Sequence, residues 1–370
     1  MKRFLIIPPY KRSFRSLGDQ ALILWLVAKI GTENKIFLLM WRGGDLSFLS
    51  WFNNITILNL PVRDFWFLIF FLDFFFFCFR FFTFFFKKFH HIYYIGADMV
   101  DGRYFHTSPY FLCFILFSKF ISPAISIISF SYKKCHTKAS FFIFYSLKRR
   151  AFFYPRDQNS SLALARDFSP IHNSVISDLS FCIDRYSFHT GIHDWILEKK
   201  KAWNKILMLC PSKNSSISDI DSFLSNLSEE LSDWHDWNFV IVRHVFSPAQ
   251  HQWLYCNVLC SLLKEKAILL DTPNVLVSRD ILHGVDAAVS CLMHFSLWSV
   301  AAGTPILMMD YDKKVLPIFS DLWIENMVAS SERDFFVKIK KLRRDHQTNL
   351  SQMALARTIA SNTAFRTDYE

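Results

Sequence analysis

Residues 281–314 read ILHGVDAAVSCLMHFSLWSVAAGTPILMMDYDKK, and the rest of the chain is best interpreted outward from them. The apolar run Asp286–Cys291 predicts a buried strand, and a turn carrying His294 follows it. Small residues over Ser296–Ala302 predict a closely packed helix. The break Gly303-Thr304-Pro305 ends that helix, Ile306–Met309 predicts a second strand, and Asp310–Lys314 a polar loop. This is a βαβ unit with polar residues at the carboxyl ends of both strands, which is where open α/β sheets bind ligands. A titratable imidazole at His294 and the cations Lys313 and Lys314 suit an anionic substrate that needs a proton. A structural histidine and solvated lysines are the alternative at this point.

The composition narrows the choice of partner. The chain has 370 residues, enough for two domains. It carries 42 Lys+Arg against 32 Asp+Glu, a formal charge of +10. That charge suits an acidic small molecule, an anionic membrane or a nucleic acid. No RNA-recognition, zinc-finger or helix-turn-helix signature is present, so no nucleic-acid partner is expected. The eight cysteines lie mostly inside apolar runs and read as core residues of a reducing compartment. Cys256 and Cys260 stand at i, i+4 without a second ligand pair, so no metal site is expected. Only about four apolar residues precede Pro8, too few for a signal peptide, so a cytoplasmic location is expected.

Apolar strand-like runs alternate with helix-like segments along the chain. Strands are expected at Phe4–Ile7, Lys35–Trp41, Ile55–Leu60, His91–Ile95, Ala124–Phe130, Ala151–Tyr154 and Ser174–Ile176. The alternation stops over residues 182–204, which are polar and read as a linker. It resumes with strands at Ile206–Cys210, Phe239–Val242 and Ala267–Leu270, separated by helices at Ser218–Leu231 and Pro248–Leu263. A further short helix is expected at Asn274–Leu282. The expected fold is α/β: two Rossmann-like doubly wound domains facing across a cleft, a GT-B-like arrangement. The N-terminal domain spans 1–181, the linker 182–204 and the C-terminal domain 205–330. Residues 331–370 read as a helical tail with a loosely ordered end.

The Phe-rich segment at 64–89 includes FWFLIFFLDFFFFCFRFFTFFF and is long enough to span a bilayer. Asp73 and Arg80 interrupt it, and central charges are costly in a spanning helix. A core helix of the first domain is the preferred reading. Interfacial contact of 65–86 with an anionic membrane, with Arg80, Lys87 and Lys88 toward the headgroups, is the second and a true span the third.

Several other strand ends carry candidate chemistry. Gly18-Asp19-Gln20 opens a helix, where glycine allows close approach of a ligand and the helix N-terminus favours anions; an Asp N-cap is the alternative. Gly96, Asp98 and Asp101 follow the fourth strand and suit sugar hydroxyls, or form only an Asp-rich turn. Arg156 after the sixth strand suits a carboxylate or phosphate, or a structural pair with an Asp. Arg243 and His244 carry the same ambiguity.

Taken in order, GDQALI at 18–23, GADMVDG at 96–102, PRDQNS at 155–160, DLSF at 178–181 and SCLMHFSLWSVAAGTP…YDKK at 290–314 resemble the polysaccharide pyruvyl transferase family. The resemblance runs from about residue 3 to residue 320 and is sharpest in the last block. It implies transfer of a pyruvyl group from phosphoenolpyruvate, a donor substrate rather than a cofactor, to a sugar of a cell-surface polysaccharide or its lipid-linked precursor. A cyclic ketal forms across two hydroxyls. His294 is then the catalytic general acid, in line with the family's histidine. Lys314 and Arg156 become donor contacts, and Asp19, Asp98 and Asp101 acceptor contacts. One departure stands out: where the family has an arginine two residues before that histidine, this chain has Leu292. A lipid-carried acceptor would place the protein at the inner face of the plasma membrane. A nucleotide-sugar-dependent glycosyltransferase of the same shape, and a degenerate non-catalytic homologue acting as a membrane-associated assembly partner, are the two rivals.

Overall fold

The computed structural model of the chain describes residues 1–8, 17–41, 47–50, 52–60, 89–97, 124–135, 138–182, 190–214, 216–245, 251–271, 274–310 and 315–363. The Phe-rich segment 64–88 and most of 110–128 lie outside these residues, as do Asp98, Asp101, Lys314 and the last seven positions. The expectations placed on those positions therefore lie outside the described residues too. The chain divides into two compact units. The first comprises Met1–Phe14, Leu22–Leu179 and Phe365–Glu370, and the second Arg15–Ala21 and Ser180–Ala364.

In the first unit, β1 (Arg3–Ile7), β2 (Lys35–Trp41), β3 (Ile55–Leu60), β4 (His91–Ala97), β5 (Ile125–Phe130) and β6 (Ala151–Pro155) form one sheet in the order β3-β2-β1-β4-β5-β6. Every pairing is parallel. The strands are near-continuous apolar runs because a parallel sheet is covered on both faces. Helix α1 (Leu17–Ile30) follows β1, α2 (Lys138–Leu147) follows β5 and α3 (Gln158–Phe168) follows β6. Phe144 of α2 and Phe168 of α3 stack at 5.2 Å, and both are buried in a core with Phe130 and Phe153. The expected strand at Ser174–Ile176 is not a sheet member; its chain runs beside β6, with Ser174 N donating to Phe153 O (3.0 Å) and Ile176 N to Pro155 O (3.0 Å).

In the second unit, β7 (Lys205–Cys210), β8 (Trp237–Val242), β9 (Ala267–Leu270), β10 (Ala287–Ser290), β11 (Ile306–Met309) and β12 (Val328–Ala329) form a second six-stranded sheet, ordered β12-β11-β10-β7-β8-β9. Its pairings are parallel as well. Counted from the first strand of each unit, both sheets have the order 3-2-1-4-5-6, the doubly wound order of dinucleotide-binding folds. The expected fold class is therefore present twice.

Two expectations about boundaries change, and one strand is added. The predicted linker contains a helix, α4 (Gly191–Lys201), which buries Ile196. It is tied into the second unit by His193 Nε2 at 3.1 Å from Asp280 Oδ2. After α9 (Val315–Asp321), the expected tail holds α10 (Glu332–Arg344) and α11 (His346–Asn362), which pack on β11 and on the helix after β10. Phe335 of α10 lies 5.2 Å from Phe223 in the core, so this segment is a part of the unit and not an appendage. The two-residue strand β12 has no counterpart among the expected strands.

Helix α5 (Ile220–Ser232) illustrates the energetics. Its buried side chains are Ile220, Phe223, Leu224, Leu227 and Leu231, one stripe at helical spacing. Asp219 caps it by accepting from Asp221 N. The cap contributes about 1 kcal/mol. Each buried apolar side chain contributes roughly 1.5–3 kcal/mol, so packing decides where the helix sits and the cap decides where it starts. Among the described residues, no helix is long and apolar enough to cross a membrane.

Candidate functional site

The order of strands in a doubly wound sheet reverses beside its first strand, and the loops there diverge to leave a crevice. In the second unit that point lies between β7 and β10, with β8 on the other side of β7. Cys210, at the end of β7, accepts a hydrogen bond through its backbone oxygen from Cys291 N at 3.1 Å. Asn214, in the loop after β7, donates through Nδ2 to Cys291 O at 3.4 Å.

Helix α8 (Met293–Ala302) begins at the carboxyl end of β10. Leu292 at its N-cap has no side-chain oxygen with which to cap the helix. Ser290 Oγ instead accepts from Leu292 N at 2.8 Å and fixes the turn. Ser296 N makes the first helical bond, to Leu292 O at 3.2 Å. The N–H groups of the turn before it point outward along the axis, where the helix carries partial positive charge. The other end is closed by Gly303 in the left-handed region (φ +78°), which a glycine adopts without strain. Thr304 Oγ1 donates to Leu282 O at 2.6 Å and locks helix α7 (Val275–Gly284) beside α8. The Gly-Thr-Pro block thus ends a helix, ties down its neighbour and starts β11.

His294 is the second residue of α8 and is half-buried. It lies against Gly18, the second residue of α1. A Cβ built on Gly18 would collide with His294 Nδ1 and Cγ, well inside contact distance. The first turns of α1 and α8 therefore meet face to face, and glycine is what allows it. The sequence suggests that Gly18 admits a ligand; the structure fills that space with the imidazole. Leu17 N of the same turn donates to His244 O at 3.2 Å. Asp19 is in the first turn of α1 and only 2% exposed.

His244 is itself buried after β8. Its ring lies 4.8 Å from the Trp298 ring and 6.1 Å from Phe295, both on α8. Burial, and the neighbouring His294, lower its pKa to about 3, so it is neutral at ordinary pH. A neutral, enclosed imidazole is not a cationic anion contact. Gln252, on helix α6 (Gln252–Leu263), holds the surrounding loops: Oε1 accepts from His244 N (2.9 Å) and Val245 N (2.6 Å), and Nε2 donates to Pro211 O (2.8 Å). Gln252 and Trp298 have no signal in the sequence beyond ordinary helix positions.

The two arginines named as anion contacts are engaged elsewhere. Arg243 Nη1 lies 2.7 Å from Asp271 Oδ1. Arg156 is in the first unit, its side chain 1% exposed, with Nε donating to Ser131 Oγ (2.9 Å) and Nη1 at 3.5 Å from the fully buried Asp178. For Arg156 the structural pair with an Asp, the alternative open in the sequence, describes its surroundings. Gly96 is in β4, whose carboxyl end lies beside β1 at the switch point of the first sheet. Asp98, Asp101 and Lys314 lie outside the described residues. No cluster of three metal-ligating side chains occurs among the described residues.

No protein-family profile and no curated protein matches this sequence. Solved structures do match over nearly the whole chain. Anabaena HepE in complex with UDP and glucose superposes with a TM-score of 0.62 at 11% identity, covering 98% of this chain and 95% of that one. Sucrose-phosphate synthase from Thermosynechococcus elongatus gives a TM-score of 0.61 at 10% identity, with the same coverage. S. aureus MnaA with UDP gives 0.56 at 10%, covering 97% and 92%. At such identities the likeness is one of fold, and the fold is GT-B-like.

Proposed function

We propose that the chain is a glycan-modifying transferase that takes its group from a nucleotide-activated sugar. The observation that carries this reading is the meeting of Gly18 and His294 at the switch point of the second sheet. The first turn of α8, which no side chain caps, starts at the carboxyl end of β10, the strand beside β7, and His294 stands in that turn. Outward N–H groups and a helix dipole suit a diphosphate. The GT-B-like fold shared with HepE, a protein seen with UDP and glucose, supports the same donor class.

In this reading the acceptor hydroxyl attacks the anomeric carbon of the donor. The bond from that carbon to the diphosphate oxygen breaks, the electron pair leaves on the diphosphate, and the hydroxyl proton passes to a base. The first turn of α8 stabilises the departing charge. His294 is the titratable group at that turn and carries or releases a proton there.

A second reading, pyruvyl transfer from phosphoenolpyruvate, is favoured by one observation. His294 stands at the carboxyl end of β10, the place the SCLMH block gives it in the resemblance. Against it, the guanidiniums of Arg156 and Arg243 both face aspartates, and Leu292 stands where the resemblance expects an arginine.

Product release separates the two. Acceptor-dependent release of a nucleoside diphosphate supports the first reading, and acceptor-dependent phosphate from phosphoenolpyruvate the second. His294→Ala is expected to lower turnover by about 10²–10⁴-fold when assayed well below its melting temperature. Full turnover in that variant removes His294 from the mechanism.

A further inference from the structure

We propose that the outward face of α2, in the first unit, is a docking surface for an anionic lipid bilayer. Residues 133–150, KKCHTKASFFIFYSLKRR, hold six Lys or Arg and no acid. Lys133, Lys134 and Lys138 lie at the start of the helix and are exposed. Lys148, Arg149 and Arg150 lie just past its end, the two arginines exposed and the lysine half-buried. None of the six forms an ion pair with the described residues, although Lys148 Nζ lies 4.5 Å above the Tyr145 ring. Between the two groups of cations stand Phe141 and Tyr145, 49% and 56% exposed. They are four residues apart on one helix face, with stacked rings 6.3 Å apart.

The opposite face of α2 is spent on the core, where Phe144 and Leu147 are buried. Phe141 keeps one core contact, to the Phe168 ring at 5.2 Å, yet it and Tyr145 each leave about half of their surface in water. A ten-residue helix is about 15 Å long, so the cations sit about that far apart with the aromatics between them. That is the arrangement of a helix lying in the plane of a bilayer: aromatic rings enter the headgroup layer, and lysines and arginines at each end meet anionic headgroups. A nucleic acid would call instead for cations along one groove, with the rings stacked on bases. The surface is separate from the Phe-rich segment at 64–88 and does not depend on which donor the second unit takes.

The test is co-sedimentation of the full chain with vesicles of phosphatidylcholine alone, or with about a third phosphatidylglycerol. Binding to the anionic vesicles only, weakened by salt, is expected. Lys148→Glu/Arg149→Glu/Arg150→Glu should lower the partition coefficient by at least about a hundredfold, since each cation lost near an anionic surface removes about fivefold and each added carboxylate is repelled. Lys133→Glu/Lys134→Glu, in the loop before the helix, tests the other end should the first variant melt early. Tyr145→Ser should weaken binding on its own, as Tyr145 is the more exposed ring and spares the contact of Phe141 with Phe168. A wild-type chain that stays in the supernatant overturns the proposal. So does partition of both charge-reversed variants at the wild-type level, because the binding then resides elsewhere. Loss of oligonucleotide binding in those variants, with vesicle binding intact, assigns the patch to nucleic acid and also overturns it.

Discussion

Gly18 is the residue on which the candidate site turns, and its role is not local. In the sequence it is a glycine at a helix start, and the ordinary reasons for one are a ligand or a turn. The structure supplies a third: an imidazole from α8 occupies the space a Cβ would need. Nothing near residue 18 in the sequence announces a partner at 294, so this pairing is not legible there, whereas His294 at the end of a strand is. Gly18→Ala is expected to push His294 off its position. A melting shift equivalent to about 1–3 kcal/mol and a turnover loss close to that of His294→Ala should accompany it. Wild-type turnover in Gly18→Ala would separate the contact from the chemistry. His244 carries a second residue-scale prediction. Its pKa falls to about 3, and that of His91, buried beside Ser126 (2.8 Å), to about 4. In the unfolded chain both titrate near 6.5, so between that pH and about 4 the unfolded state binds the extra protons. Stability from these two groups is complete above pH 6.5 and is lost as the pH falls, at up to about 1.4 kcal/mol per pH unit for each. Urea midpoints for the wild type and His244→Gln between pH 7 and 4 should show a shallower slope in the variant.

At the scale of elements, strands declare themselves in the sequence and polar helices do not. Lys35–Trp41 and Ile306–Met309 run as the apolar pattern predicts, because both faces of a parallel sheet are covered, and Ile55–Leu60 and Ala267–Leu270 match it too, as partly exposed outer strands. Helix α4 reads as linker because only Ile196 is fully buried on it, Leu197 is exposed and its last turn is a charge run, Glu198–Lys201. Its position rests on side-chain contacts such as His193 to Asp280, which no periodicity reveals. The turn after β6 shows the same limit. Arg156 there has two readings in the sequence, and the buried contacts with Ser131 and Asp178 show where its guanidinium goes. Removing one partner of a buried pair leaves the other charge unmatched, so Arg156→Leu should cost about 3–5 kcal/mol. The double variant Arg156→Leu/Asp178→Leu should recover a large part of it, read as a coupling energy in denaturant unfolding. A purely ligand-gripping arginine would lower donor affinity with no such coupling.

For the whole molecule, the repeated strand order is legible from two runs of alternating elements, and the division near residue 180 lies within two residues of the expected end of the first domain, whereas the assignment of Arg15–Ala21 to the second unit has no sequence signal. The first turn of α1 belongs to the second unit although the rest of the helix belongs to the first. If the second unit takes a nucleotide-activated sugar, a nucleoside diphosphate should stabilise it by mass action. The gain is about 2.7 kcal/mol at a hundred times the dissociation constant, seen as an upward shift of the melting transition. His294→Ala should blunt that shift, and its absence in the wild type would count against the donor class. The stretch beside β6 bears on a different property. An open sheet leaves a row of N–H and C=O groups along each outer strand, a template onto which a second molecule can add its own strand. Along β6 that row is taken by residues 172–176 of the same chain. This blocks strand addition by another copy at that edge, so freeing the segment, rather than exposing core, is the change that would make this side of the sheet prone to aggregate.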